Sequence, residues 1–463
     1  MIPMTVAEIA AAVGGRPVGF PDPDAVVVDG PVVIDSRAAD AGTLFVAVAG
    51  ERADGHAFAD EARARGAVVL SHQDTAGPEV MVGDETVPAL GRLARAYLDR
   101  LDHPVVVGLT GSSGKTSTKD LVAHLLEALG PTVAPKESFN TEIGVPLTVL
   151  SADKDTRHLV IEMGARGAGH IAYLCEVAPP RIGVVLNIGA AHAGEFGGRE
   201  ATAAAKSELV QAVPPAADGG VAVLNADDPL VRAMAEVTRG RVVRFGRAAD
   251  ADVRAVDVTL DEQGRPGFRL VTAHGSAPVQ LRLYGEHHVS NALAAAAVAG
   301  ELGMPVETVA ALLSDAQPRS RWRMEVSERP DGVMVVNDAY NANPDSVRAA
   351  LEALVAMARG RRSWAVLGEM LELGESSRQE HEAIGRLVAQ LDVGHLVVVG
   401  EGARPIQQGV DADGEESVFV PDADAALALL RQRVRPGDVV LVKASRRAGL
   451  ERVAAGLLAE GGA

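Results

Sequence analysis

The 463-residue chain has little cysteine and few aromatic residues, and each shortage excludes a class of protein. Cys175 is the single cysteine, which excludes an intrachain disulfide framework and a cysteine-rich zinc site and fits a reducing compartment. We expect this thiol to be a small buried apolar group rather than a nucleophile. Aromatic residues make up 3% of the chain, which leaves little material for the stacking platforms that bind nucleic-acid bases.

The chain also lacks an excess of positive charge and long hydrophobic runs. Its formal charge of −18 argues against a nonspecific nucleic-acid or membrane binder. The negative net charge does not exclude small anionic ligands. Salt screens charges beyond about 8 Å, so a local cationic pocket can act independently of the net charge. We find no run of about 18 apolar residues and no cationic segment before an apolar core at the N-terminus. We therefore expect a cytoplasmic protein without a membrane span, signal peptide or nucleic-acid partner.

Length predicts about three domains, at roughly 100–200 residues each. Strand and helix patterns alternate, which predicts an α/β fold. Predicted strands include His158–Glu162, Ile182–Leu186, Val333–Asn337, Ser363–Leu367, His395–Val399 and Val439–Val442. We place the boundaries after residues 102 and 318. The prediction is a small α/β domain (1–102), a central ATPase-like domain with a mostly parallel sheet (103–318) and a Rossmann-like α/β domain (319–463).

Residues 105–120 contain the most specific signal. A β-branched strand pattern from Val105 leads into Thr110-Gly-Ser-Ser-Gly-Lys-Thr, and good helix formers follow from Lys115. Strand, glycine-rich turn and helix in this order predict a phosphate-binding loop rather than an ordinary turn, since backbone N–H groups and the helix dipole converge on one anion. Lys115 would reach the outer phosphates and Thr116 would ligate Mg²⁺. The loop residues are Gly111, Ser112, Ser113, Gly114, Lys115, Thr116 and Ser117.

Polar residues also stand at other strand ends, the ligand-binding edge of an open α/β sheet. Glu162 ends a buried strand pattern, and its carboxylate is either a metal ligand or a helix cap. His192 follows another strand, where a structural histidine and a ligand are equally expected. Lys206 lies among small helix formers, and this pattern by itself favours a solvated lysine.

The last third of the chain has two further polar strand ends. Asn337-Asp-Ala-Tyr-Asn-Ala-Asn-Pro344 follows a strand pattern with more amides and carboxylates than a turn requires, which favours a ligand-binding loop. Lys443-Ala-Ser-Arg446 ends the last strand and offers two cations to a substrate carboxylate or phosphate. The alternative for this second segment is a solvated basic turn.

Together these motifs resemble those of the Mur ligases, the ATP-dependent amide-forming enzymes of peptidoglycan precursor synthesis. The resemblance covers essentially the whole chain. It is closest to the members that add a dipeptide, on the basis of Tyr340-Asn-Ala-Asn-Pro344, Leu367-Gly-Glu-Met-Leu-Glu-Leu-Gly374, Lys443-Ala-Ser-Arg446, Asp35-Ser-Arg37 and Phe45-Val-Ala-Val-Ala-Gly50. The other matching segments are Thr110–Thr116, Glu162-Met-Gly, Asn187–His192, Ala205-Lys-Ser-Glu208 and His287 with Asn291.

The resemblance implies ATP and two Mg²⁺ sites as cofactors, and UDP-N-acetylmuramoyl-tripeptide and D-alanyl-D-alanine as substrates joined through an acyl phosphate. We expect a monomer. Implied catalytic residues are Lys115, Glu162, His192 and a carbamylated Lys206, and implied metal ligands are Thr116, Glu162 and His192. Implied nucleotide contacts beyond the loop are Asn291, Arg323 and Asp338. Implied substrate contacts are Ser36 and Arg37 at the UDP-sugar end, and Asn140, Thr141, Tyr340, Asn341, Asn343, Lys443 and Arg446 elsewhere.

Several alternatives stay open at this stage. Where the family usually has Gly-Arg before Met324, this chain has Ser320-Arg321-Trp322-Arg323, so Arg321 competes with Arg323 for the nucleotide role. His288 replaces a common asparagine. The acceptor could belong to another Mur step or to a folylpolyglutamate synthase, although a UDP-sugar domain argues against the latter. A nucleotide-dependent switch would explain the phosphate loop but not the polar strand ends after residue 319.

Overall fold

The computed structural model describes residues 1–50, 53–135, 137–189, 198–410 and 416–459. Their strands form a two-stranded sheet and three larger sheets of five, nine and six strands. Each larger sheet lies within one of the ranges 1–102, 103–318 and 319–463, which we call the N-terminal, central and C-terminal regions. Among the described residues, no helix is long and apolar enough to cross a membrane.

The N-terminal region is a small, mostly parallel sheet with helices, ordered β2-β7-β6-β5-β4. Its first helix begins at a capping box between Thr5 and Glu8 and ends at Gly14, which has a left-handed backbone. The strands are β1 (Met4–Thr5), β2 (Arg16–Val18), β3 (Val27–Val28), β4 (Val32–Val33), β5 (Leu44–Val46), β6 (Val68–Ser71) and β7 (Glu79–Met81). The helices are α1 (Val6–Val13), α2 (Ala59–Ala64) and α3 (Thr86–Leu98).

The central region has the order β16-β15-β14-β13-β12-β11-β8-β10-β9, parallel from β9 to β14 and antiparallel beyond. Its strands are β8 (Val105–Thr110), β9 (Thr132–Val133), β10 (His158–Glu162), β11 (Ile182–Val185), β12 (Val221–Asn225), β13 (Arg241–Gly246), β14 (Val253–Leu260), β15 (Pro266–Thr272) and β16 (Gly275–Gln280). Its helices are α4 (Lys115–Glu127), α5 (Gly144–Leu150), α6 (His170–Val177), α7 (Arg199–Gln211), α8 (Pro229–Ala233), α9 (His288–Glu301) and α10 (Val306–Asp315). Because β8 lies between β10 and β11, the loops that leave these three strands are neighbours.

The C-terminal region has the order β17-β18-β22-β19-β20-β21, parallel except for β17. Its strands are β17 (Glu325–Glu328), β18 (Met334–Asn337), β19 (Ser363–Leu367), β20 (His395–Val399), β21 (Glu416–Val420) and β22 (Val439–Lys443). Its helices are α11 (Pro344–Ala358), α12 (Ser377–Gln390), α13 (Arg404–Gly409), α14 (Ala423–Arg433) and α15 (Glu451–Ala459). The adjacency of β18 and β22 brings the two polar segments of the last third of the sequence together.

Candidate active site

The loop between β8 and α4 has the backbone of a phosphate-binding loop. Gly114 has φ +79°, and a Cβ there would come within 2.6 Å of Asn291 Oδ1, so both the backbone angle and the close approach require glycine. The N–H groups that begin α4 have no carbonyl of their own helix to bond, and they remain available to an anion. Lys115 Nζ donates to the Gly111 carbonyl at 2.8 Å, and burial lowers the pKa of Lys115.

A chain of hydrogen bonds links the loop to the end of β10. Thr116 Oγ1 donates to Glu162 Oε2 at 2.9 Å, and Asn140 Nδ2 donates to Glu162 Oε1 at 2.8 Å. Ser138 Oγ lies 2.9 Å from Thr116 Oγ1 and acts as its donor, because the Thr116 proton points to Glu162. A hydroxyl and a carboxylate beside a phosphate loop are the oxygen donors that Mg²⁺ takes together with nucleotide phosphates.

Lys206 of α7 is buried, with 2% of its surface exposed, and the solvated lysine that its helical pattern favours is therefore wrong. Burial, with a smaller contribution from the charge of Lys115, lowers the pKa of Lys206 to about 7. Within the described parts of the chain its ammonium has no hydrogen bond or ion pair. A buried amine with a pKa near neutrality is substantially unprotonated at physiological pH, the form that reacts with CO₂ to give a carbamate.

Buried polar groups of the C-terminal region form the opposite wall. Lys443 Nζ donates to Asp338 Oδ2 at 2.6 Å and to the Asn341 carbonyl at 2.9 Å, while Asp338 Oδ1 accepts from Met324 N at 3.0 Å. Burial lowers the pKa of Lys443, and the Asp338 charge opposes this. Lys443 is therefore the counter-ion of Asp338 in this conformation.

Arg323 reaches from the C-terminal region to the phosphate-loop network. Its Nη2 donates to Ser138 Oγ at 2.8 Å, and its guanidinium lies 4.2 Å from the ring centre of Tyr340. The residues on either side, Trp322 and Met324, have φ of +58° and +47°, angles that non-glycine residues rarely adopt. Arg323 lines the cavity described next, whereas Arg321 is exposed and does not.

A cavity of about 1050 Å³ lies between the central and C-terminal regions and brings most of the predicted site residues together. Lining residues from the predicted set are Ser112, Ser113, Gly114, Lys115, Thr116, Ser117, Asn140, Thr141, Glu162, Lys206, Asn291, Arg323, Asp338, Tyr340, Asn341, Asn343, Lys443 and Arg446. Gly111 belongs to the loop but does not line the cavity. His192 lies outside the described residues.

Ser36 and Arg37 are apart from this cavity, in the N-terminal region. Ser36 Oγ donates to Glu61 Oε2 at 3.0 Å, and Arg37 pairs with the Asp35 carboxylate at 2.7 Å. Their assignment to the UDP-sugar end stays a prediction.

The cavity also includes residues that the sequence analysis did not assign to the site, among them Ser138 and Glu372, and it includes His288, which replaces the common asparagine. Ser138 joins Thr116 to Arg323, a role that no motif marks, although it stands two positions before Asn140. His287 and His288 are buried, which lowers the pKa of His287 to about 4 and that of His288 well below its usual value. Both imidazoles are therefore neutral beside the nucleotide loop.

Comparison with known proteins agrees with this geometry. Residues 31–97 match the model of the Mur ligase family catalytic domain, residues 109–299 the Mur ligase middle domain and residues 322–446 the Mur ligase glutamate ligase domain. A UDP-N-acetylmuramoyl-tripeptide–D-alanyl-D-alanine ligase of Mycobacterium tuberculosis is 50% identical and covers 99% of this chain and 98% of its own. The chain belongs to the Mur ligase family.

Solved Mur ligase structures have the same architecture. MurF from Acinetobacter baumannii has a TM-score of 0.88 and 31% identity, with 99% of each chain covered. MurF ligase from Thermotoga maritima, solved in complex with ADP, has a TM-score of 0.81 and 31% identity, covering 94% of this chain and 98% of its own. The mostly parallel α/β sheets are thus arranged as in a Mur ligase.

Proposed function

We propose that this chain joins D-alanyl-D-alanine to UDP-N-acetylmuramoyl-tripeptide with ATP, which gives the pentapeptide precursor of peptidoglycan, ADP and phosphate. The proposal depends on the likeness over 99% of the chain to a ligase of that name. The nucleotide half of the reaction is supported by the phosphate loop and by the ADP complex of the Thermotoga maritima relative.

The chemistry follows from the substrates. A carboxylate at neutral pH is a poor acyl donor, so its oxygen attacks the γ-phosphorus of ATP and ADP leaves, which yields an acyl phosphate. Lys115 and Arg323 line the cavity beside the loop and offset negative charge on the transferring group. Thr116 and Glu162 would hold Mg²⁺, which when bound neutralises phosphate charge. The two-metal prediction also includes His192.

In the second step the dipeptide amine attacks the acyl carbon and phosphate leaves. Open water would hydrolyse the acyl phosphate, so the central and C-terminal regions must enclose it. We assign Lys206, as its carbamate, to the central wall of this enclosure, where an anion would attract metal and a bare ammonium would repel it.

The dipeptide carboxylate is assigned to Arg446. Its guanidinium lies 3.9 Å from the ring centre of Trp322, and the side chain lines the cavity. Arg446 is half exposed and its pair with Glu451 is 3.3 Å long, whereas Lys443 is buried and pairs with Asp338 at 2.6 Å. Both polar side-chain atoms of Asn343 have partners, so Lys443 and Asn343 are weaker candidates for direct contact. Tyr340, Asn341, Asn140 and Thr141 line the same space.

We further propose three domains with boundaries after residues 102 and 318, and a cytoplasmic monomer. ATP, a UDP-linked substrate and one buried cysteine fit a reducing compartment that contains nucleotides. Cys175 is buried, as the sequence predicts, and burial raises the pKa of its thiol to about 12, which supports an inert thiol. Size-exclusion chromatography with light scattering tests the oligomeric state.

The deciding experiment measures phosphate release with ATP, Mg²⁺ and UDP-N-acetylmuramoyl-tripeptide, with D-alanyl-D-alanine, D-glutamate, L-alanine or diaminopimelate as acceptor. We expect release only with the dipeptide, and a product whose mass has increased by one dipeptide less water. Lys115→Ala prepared in parallel should release none, which excludes a contaminating ATPase. Release with a single amino acid would indicate another Mur step, and acceptor-independent release a nucleotide switch.

A further inference from the structure

Asn187, which follows β11, makes four hydrogen bonds to the side of the phosphate loop at 2.9–3.2 Å. Asn187 Oδ1 accepts from Ser112 N at 3.0 Å and from Ser113 N at 2.9 Å. Its Nδ2 donates to the Ser113 carbonyl at 3.2 Å, and its own carbonyl accepts from Ser112 N at 3.1 Å. The carboxamide therefore bonds to both the N–H and the C=O of Ser113.

These bonds divide the N–H groups of the loop into two sets. Ser112 and Ser113 point theirs at the Asn187 oxygen, whereas α4 begins at Lys115 and its first N–H groups have no intrahelical partner. Only the second set, from Gly114 onwards, is open to a phosphate while Asn187 stays in place. We propose that Asn187 is a positioning residue of the nucleotide site. Its carboxamide holds Ser112 and Ser113 in place, so that the outer phosphates bind to the N–H groups from Gly114 onwards.

Neighbouring contacts show that the segment after β11 lies tightly against the loop. A Cβ at Gly111 would come within 2.9 Å of Leu186 Cβ, and Gly189 N donates to Ser112 Oγ at 3.0 Å. The Ser112 carbonyl accepts from Asn343 Nδ2 of the C-terminal region at 3.3 Å. Asn187 thus sets the position of a peptide unit on which the C-terminal region also docks.

The chemistry of the side chain explains why an amide is needed. An aspartate at this position would keep the acceptor but lose the donor to the Ser113 carbonyl, and it would bring a negative charge close to the bound phosphates. An alanine would leave the Ser113 N–H without its partner, whereas Ser112 N would keep its bond to the main-chain carbonyl of residue 187. The freed N–H would compete with α4 for the anion or turn the loop aside.

The test compares Asn187→Ala with Asn225→Ala. Asn225 is a matched asparagine at the end of the adjacent β12, and its Nδ2 donates to the Leu186 carbonyl at 2.7 Å without touching the loop. Affinities for ADP and AMP are measured by calorimetry or competition. We expect Asn187→Ala to lower the affinity for ADP about tenfold, which is the effect of roughly one or two lost hydrogen bonds. The affinity of Asn187→Ala for AMP, which has no β-phosphate, should equal that of the wild type. Asn187→Asp should lower the affinity for ADP further than Asn187→Ala does.

The proposal depends on the proposed nucleotide-dependent ligase, and four results would overturn it. Tighter ADP binding by Asn187→Ala would make the carboxamide a competitor that occupies the phosphate site. Equal losses for ADP and AMP, or the same loss in Asn225→Ala, would indicate general destabilisation. Unchanged ADP affinity in Asn187→Ala would contradict the positioning role of Asn187 and leave the proposed function intact. Absence of ADP binding in the wild type would instead contradict the proposed function.

Discussion

Helix α3 of the N-terminal region packs into the central region with apolar side chains, whereas the C-terminal region meets the central region largely through polar groups. At the first junction, one continuous hydrophobic core includes residues of α3 together with α5 and α6. Gly91 of α3 faces Tyr173 of α6 so closely that a Cβ there would overlap the phenol oxygen. Such a junction resembles the interior of a single domain.

The second junction is built from hydrogen bonds and ion pairs. Asn343 Nδ2 bonds the Ser112 carbonyl, Arg323 bonds Ser138, and Arg359 Nη2 donates to the Asp261 carbonyl at 2.7 Å. Arg319 forms a bidentate pair with Glu127, at 2.6 Å for each bond. Polar groups of this kind exchange their partners for water at little net cost, and polar interfaces between domains usually permit motion.

The contrast between the two junctions indicates which of the two outer regions we expect to move relative to the central region. An apolar junction that separated would expose a large hydrophobic surface, so we expect the N-terminal region to stay docked. The polar junction encloses the cavity, and we expect it to open for substrates and to close around the acyl phosphate. Changes at the apolar junction should therefore alter stability, and changes at the polar junction should alter turnover.

The largest effect is expected at Lys206, a buried lysine that lines the cavity at the polar junction. Lys206→Ala should lower kcat/KM about a thousandfold if its carbamate supports the metal site, a loss typical of a transition-state charge contact. Added formate or acetate should restore part of the activity. Steady-state kinetics with and without these anions measure both effects.

Lys119 provides the control, since it is also a buried lysine of the central region but is paired with Asp120 Oδ1 at 2.8 Å. Lys119→Ala should unfold at a lower temperature, retain turnover per folded molecule and show no response to carboxylates. Full activity of Lys206→Ala without rescue would contradict the catalytic assignment.

Lys206 should also make the free energy of unfolding depend on pH. Burial lowers the pKa of Lys206 from 10.5 to about 7, so between these values the unfolded chain binds a proton that the folded chain does not. Folding stability from this group therefore falls as the pH drops from about 10 towards 7, by up to about 1.4 kcal/mol per unit. Lys206→Met should raise the free energy of unfolding by about 4 kcal/mol at pH 7 and by much less near pH 10.

Urea unfolding in CO₂-free buffer without Mg²⁺ or nucleotide measures this difference. A gain that is the same at both pH values would mean that methionine acts through packing alone.

At the apolar junction the largest effect is expected from Tyr97→Phe. The Tyr97 hydroxyl is fully buried, donates to the Ala152 carbonyl at 2.6 Å and accepts from Ile2 N at 2.6 Å. Its removal leaves both groups without a partner and should lower the free energy of unfolding by about 2 kcal/mol. Turnover at a temperature well below the melting point should be unchanged. A fall in kcat without loss of stability would show that this junction moves during catalysis.

Gly189→Ala tests closure at the polar junction. A Cβ at Gly189 would overlap Asp345 Oδ2 of α11, so the alanine should hinder approach of the C-terminal region and lower kcat about tenfold, while stability changes little. The double variant Gly189→Ala with Asp345→Ala should have nearly the same kcat as Asp345→Ala alone, because the clash with Asp345 is gone. An additive double variant would mean that the two residues do not meet during the reaction.

The smallest effect is expected from Tyr173→Phe, the counterpart of Tyr97→Phe at the same junction. Among the described residues, the buried Tyr173 hydroxyl has no hydrogen-bond partner. Removing it should leave stability unchanged or raise it by about 1 kcal/mol, since a buried unpaired hydroxyl is costly. Thermal unfolding beside Tyr97→Phe measures the difference in sign, and a loss as large as that of Tyr97→Phe would indicate a partner that the structure does not describe.

Much of the local structure could be predicted from the residues themselves. Strands β10, β19 and β20 have the predicted bounds, because continuous apolar runs bounded by polar residues suit strands that are buried on both faces. By contrast, α5 and α6 were not predicted, since their short apolar sequences resemble buried strands. The burial of Lys206 could not be read from its helix, because what packs on that helix comes from elsewhere in the chain.

The sequence by itself determined the phosphate loop, since Gly114, Lys115 and Thr116 act through backbone angles and helix geometry that neighbours in the chain create. Only the tertiary structure decided the rest of the nucleotide network. Ser113 and Asn187 are 74 positions apart, and Ser138 and Arg323 are 185 apart, yet each pair is joined by a hydrogen bond. Strand order and the docking of two sheets bring these groups within bonding distance, and neither is encoded in any local pattern.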